Sequence, residues 1–104
     1  MKNKYRVEIT RIAEADIREI HEYIERDNPT AASKWVAEVE KQINSLEKFP
    51  LRCSVIPEVP ALGKEYRHLI CGNYRTIFRV EGAKVIILRI VHSTRLLDLG
   101  IFQQ

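Results

Sequence analysis

Apolar and polar positions alternate from residue 4 to residue 9. Tyr5, Val7 and Ile9 fall on one side and Lys4, Arg6 and Glu8 on the other, which predicts a half-buried strand. The period then changes. Ala13, Ile17, Ile20 and Ile24 recur every three or four residues and form one apolar stripe, predicting a helix over 11–27 with Thr10 as its N-cap. Glu14, Asp16, Glu19, Glu22, Glu25 and Asp27 cover much of the remaining surface, interleaved with Arg11, Arg18 and Arg26. Mixed charge of this kind reads as a solvated helix face rather than a metal or paired-carboxylate site, and His21 beside it is expected to be exposed. Asn28-Pro29 ends this helix and starts the next, since Asn caps well and Pro suits the first helical position. Ala32, Trp35, Val36, Val39, Ile43 and Leu46 then repeat at helical spacing to about Lys48. Trp35 fits the core better than a stacking platform. Two helices with almost no loop between them make an antiparallel hairpin.

Residues 50–64 contain three of the chain's prolines and read as an extended connector, in which Arg52 is a surface residue. Three strands follow, at 65–71, 74–80 and 84–92, joined by Gly72-Asn73 and by a turn at 81–83. A three-residue second turn would set Ile77 opposite Ile87 and Arg75 opposite Arg89. The helices would then receive Tyr74, Thr76, Phe78, Val80, Ile86, Leu88, Ile90 and His92, while Arg75, Ile77, Arg79, Val85, Ile87 and Arg89 would line the other face. Like charges facing each other are unfavourable, so that pairing hints at an anion site. A two-residue turn would flip one strand relative to the other. The face taken by Arg67 and His68 stays open. Beyond the strands, Leu96, Leu97, Leu99, Ile101 and Phe102 are apolar enough to cover a sheet edge, form a dimer contact or dock a partner.

The chain of 104 residues is expected to form one domain over 1–104, of the α+β class: an N-terminal strand, an antiparallel helical hairpin and a three-stranded antiparallel meander in one sheet. The net charge is +3, and its excess lies in the strand-rich part, where Arg67, Arg75, Arg79, Arg89 and Arg95 cluster. Arginine grips phosphate and carboxylate bidentately, so this composition points to nucleic acid or an acidic protein as partner. Cys53 and Cys71 fit no metal or redox spacing, and no metal or organic cofactor is implied. The first residues lack the apolar core of a signal peptide, and no apolar run is long enough to span a membrane, so a cytoplasmic protein is expected.

Three stretches carry a family resemblance. They are Ala13-x-x-Asp16-Ile17-x-x-Ile20-x-x-Tyr23-Ile24 with Asn28-Pro29-x-Ala31-Ala32, then Tyr66-Arg67-x-Leu69-x-x-Gly72-Asn73-Tyr74-Arg75-x-Ile77-Phe78-x-Val80, and Val85-x-Ile87-Leu88-Arg89-Ile90-Val91-His92-x-x-Arg95. Their order and spacing resemble the RelE/ParE superfamily of toxins from bacterial type II toxin–antitoxin modules, which act in plasmid stabilisation. The resemblance implies a growth-inhibiting toxin neutralised by a cognate antitoxin, with a homodimer or a toxin–antitoxin heterotetramer as the assembly.

Within that superfamily, RelE-like members cut mRNA on the ribosome, whereas ParE-like members bind DNA gyrase. RNA cleavage needs the ribose 2′-OH activated, the phosphate charge neutralised and the leaving oxygen protonated. For a nuclease, the resemblance places the catalytic residues at Arg75, His92 and Arg95. For a binding function, Arg67, His68, Arg75, Arg89 and Arg95 are the candidates. RelE itself carries two lysines on the strand before its matching arginine strand, while this chain has none between Lys64 and Lys84. That departure and the Asn-Pro hinge look more like the ParE branch and favour gyrase inhibition. An mRNA interferase is the alternative, and a non-toxic interaction module of the same fold is the third reading.

Overall fold

The structure, a computed structural model, describes residues 4–57 and 65–94. Strand β1 (Arg6–Ile9) leads into helix α1 (Arg11–Asp27) and helix α2 (Pro29–Asn44), and strands β2 (Arg67–Cys71), β3 (Tyr74–Glu81) and β4 (Lys84–His92) complete the sheet. Local chemistry sets the helix boundaries. Thr10 Oγ1 accepts the Ala13 amide at 3.2 Å and donates to the Ile87 carbonyl at 2.9 Å, which caps α1 and ties it to β4. Asn28 serves both helices: its amide closes α1 onto the Ile24 carbonyl, and its Oδ1 accepts the Ala31 amide of α2 at 3.0 Å. The second helix stops at Asn44, and the remaining turn expected to Lys48 is a tighter 3₁₀ turn over Ser45–Glu47.

The sheet order is β1-β4-β3-β2. β2, β3 and β4 form the expected antiparallel meander, while β1 pairs parallel to β4, so the sheet is mixed. Both hairpins turn in two residues. Glycine comes first with positive φ (62° at Gly72, 58° at Gly82) and a residue of ordinary φ second, which suits the right-handed twist of the strands.

The shorter second turn changes the expected pairing. Glu81 faces Lys84, Arg75 faces Val91, and Arg89 faces Ile77, so no two arginines oppose each other. Val85 and Ile87 pack in the main core under the helices, while Leu88 packs with the cluster on the other face. This corrects the expected sidedness of 85–88. A register shift between Ile77 and Phe78 leaves Leu88 as an extra residue on β4. That bulge restores the expected side for Ile90, which lies in the main core, and for His92. The main core joins Ala13, Val39, Ile43 and Leu46 to Phe78, Val85, Ile87 and Ile90. A second cluster, of Ile56, Tyr66, Ile77 and Val91, lies on the outer face.

Candidate functional site

The outer face brings two of the candidate residues together. His68 faces Ile77 and Arg75 faces Ile70, which puts both side chains on the side of the second cluster. Arg75 Nη1 lies 3.2 Å from His68 Nδ1, and Arg75 is only 3% exposed. A guanidinium can only donate, so Nδ1 of His68 accepts and the ring proton of the neutral imidazole resides on Nε2. In that state neither ring nitrogen offers a free lone pair. The ring serves as a base only after giving up its contact with Arg75.

Arg67 faces Phe78 and so belongs to the helix side of the sheet. Its Nη1 donates to the Cys53 carbonyl at 2.7 Å and its Nη2 lies 3.1 Å from Glu65, which fastens edge strand β2 to the connector. Arg89 is also committed to the fold. Its Nε and Nη2 grip Asp16 of α1 bidentately at 2.8 and 2.9 Å, and the Ile90 amide donates to the same carboxylate at 2.9 Å. The Asp16 hydrogen bond holds Arg89 above its ordinary pKa, against the effect of burial. The outer face, expected to carry the Arg89 charge, therefore does not present it. Arg79 is likewise paired, with Glu81 at 2.7 Å.

His92 is exposed and on the helix side. Its ring meets Tyr74 edge-on at 5.4 Å, Tyr74 meets Trp35 at 5.5 Å, and Nδ1 lies 2.8 Å from Thr94 Oγ1. Arg75 and His92 thus project from opposite faces of the sheet. Arg95 and the apolar positions 96–102 lie outside the described residues. Trp35 is packed against the main core, as its spacing predicts.

Asp16, expected on the solvated face of α1, is instead a buried residue, 8% exposed as a whole. A signal was present: Asp16 stands three residues after Ala13 and four before Ile20, on the apolar stripe. Among the described residues no group of His, Cys, Asp or Glu is arranged to hold a metal ion, and no helix is long and apolar enough to cross a membrane. A groove of about 520 Å³ runs beside β1, with Val7, Ile9, Ile17 and Ile43 along it and Glu14, Arg18, Glu40 and Asn44 at its margins.

Comparison with known proteins matches this architecture. The family described as ParE toxin of type II toxin-antitoxin system, parDE, fits residues 7–97. Among solved structures, the chromosomal ParDE toxin–antitoxin system from P. aeruginosa is similar at 27% identity and a TM-score of 0.72, covering 88% of this chain and 98% of that one. The RelBE2 toxin–antitoxin complex from Mycobacterium tuberculosis is similar at 25% identity and a TM-score of 0.56, covering 86% and 98%. No curated protein sequence matches significantly. With the family fitted over most of its length, the chain belongs to the ParE toxins of type II toxin–antitoxin systems.

Proposed function

We propose that this ParE-family toxin arrests growth by binding a protein target, DNA gyrase, and that a cognate antitoxin neutralises it. The observation that carries the binding reading is how four of the candidate basic residues are engaged. Arg67 and Arg89 fasten the fold, Arg75 is buried against the His68 nitrogen that would act as a base, and His92 stands on the opposite face. Phosphodiester cleavage needs acid, base and cation around one phosphate, within hydrogen-bond reach of each other's substrate atoms. Among the described residues, Arg67, Arg89 and His92 are not grouped with His68 and Arg75 in that way. The antitoxin is supported by the ParDE and RelBE complexes among the similar structures, and the groove beside β1 offers an apolar floor for a docking segment.

Among the described residues, the His68–Arg75 pair is the feature that favours the alternative, an mRNA interferase, because it sets an imidazole beside a guanidinium. Induction followed by pulse-labelling of DNA and protein synthesis separates the two. Gyrase–DNA complexes and DNA damage with intact mRNA are expected. An early stop in translation with cuts in the ribosomal A site would instead establish the nuclease. Harmless induction in a host carrying a sensitive gyrase would leave a non-toxic interaction module.

A further inference from the structure

Phe49 is the only residue other than glycine with positive φ among the described residues, at φ 51° and ψ 51°. Left-handed backbone is sterically disfavoured for a bulky side chain. Nor is burial the compensation, because Phe49 is 72% exposed and Leu51 is 55% exposed. Pro50 between them is buried and anchors the turn.

The conformation is nevertheless held from several directions. Arg52 Nη1 donates to the carbonyls of Lys48 and Phe49 at 2.7 and 3.1 Å, and its Nη2 donates to Ser45 Oγ at 3.1 Å. The amides of Arg52 and Cys53 close onto the carbonyls of Phe49 and Pro50 at 3.0 and 3.2 Å. Strain imposed by surrounding structure, at a place where it exposes rather than buries apolar surface, is what a functional site looks like. Beside it opens a cleft of about 580 Å³ lined by Tyr5, Phe49, Pro50, Leu51 and Arg52.

We propose that Phe49 and Leu51 form a preorganised anchor for the antitoxin. Its docking segment places one large apolar side chain in the cleft against Tyr5 and Pro50, and a carboxylate beside Arg52. This rests on the toxin–antitoxin reading above. Charge complementarity selects the occupant: Lys48 and Arg52 bracket Phe49 and Leu51 along the chain, Arg52 lines the cleft, and a guanidinium has more donors than the three bonds Arg52 makes here. Continuity supports it as well. Tyr5, which lines the cleft, stands just before β1 and two residues from Val7, which lines the groove beside β1, so the two hollows neighbour each other along the chain. An exposed aromatic on a backbone already fixed in place is the kind of residue that dominates an interface, because less backbone entropy remains to be lost on binding.

The test titrates the purified chain with its cognate antitoxin, comparing wild type with Phe49→Asn and Leu51→Ser. Asparagine accepts left-handed backbone, so Phe49→Asn keeps or raises the Tm while antitoxin affinity falls about tenfold or more. Leu51→Ser, at an ordinary backbone position, weakens binding by about threefold or more. Unchanged affinity in both variants overturns the proposal. So does loss of growth arrest with antitoxin affinity intact, which would assign the surface to the target. Should Phe49→Asn fail to fold, Leu51→Ser decides alone. If the wild-type chain does not bind the antitoxin at all, the toxin–antitoxin reading itself falls and takes this proposal with it.

Discussion

Removing the Asp16 carboxylate would take away an acceptor shared by the Arg89 guanidinium and the Ile90 amide, where α1 meets β4. Both ionic side chains are little exposed, 14% for Arg89 and 10% for Asp16, so screening by water is weak. Asp16→Ala is expected to destabilise the fold by about 3 kcal/mol in urea unfolding, because it leaves a charge without its partner. Asp16→Ala combined with Arg89→Met should lose less than the sum of the two single changes, since the second change removes the stranded charge. The thiols make a quieter prediction. Burial raises Cys53, with Arg52 and Arg67 pulling it partly back, and burial raises Cys71. Each folded pKa lies above the ordinary 9.0, so the stability linked to the protonated thiols is intact below that value and declines as pH rises through and beyond it. At about pH 8 neither thiol should react with a disulfide reagent faster than the chain unfolds, measured as the rate of thiol release.

At the scale of elements, the hairpin of helices and the hairpin of strands differ in how much of their geometry is local. The helices end where Thr10, Asn28 and Pro29 say they end, because a cap acts on amides within three residues of itself. Asn28→Ala should cost about 1 kcal/mol, and a loss of helix signal that tracks global unfolding would check it. The strands were legible in extent and not in register. One residue more or less at Gly82-Ala83 decides which side faces the helices, and the sequence carries turn residues that suit either length. The bulge at Leu88 has no local signature at all; it reconciles two stretches of β4 that would otherwise present opposite faces. Gly82 then becomes testable. A Cβ there meets nothing within 4 Å, so Gly82→Val should lose about 1–2 kcal/mol through backbone strain alone, with Gly82→Asn losing much less.

For the molecule as a whole, the site was legible as chemistry and not as geometry. Arg67, His68, Arg75, Arg89 and His92 were visible as an unusual concentration of basic residues on strands. What each one does depends on partners far away in sequence, Asp16 for Arg89 and the connector carbonyls for Arg67, which no periodicity reveals. The net charge of +3 carries a kinetic expectation. Association with an acidic antitoxin should slow by roughly tenfold or more between low and high salt, with a smaller change in the dissociation rate, as measured by stopped flow.

The pairing of β1 with β4 also constrains how such a protein is made. Thr10 bonds to a carbonyl 77 residues downstream, and the sheet that unites both ends has β4, not β1, beside its centre. Contacts of such separation form late, because the intervening chain must be in place first. During synthesis the helical hairpin emerges with its apolar stripe uncovered, and the strands that cover it arrive only afterwards. The strands of the second half must therefore be made before β4 can pair with β1 and cover the apolar stripe of the helical hairpin.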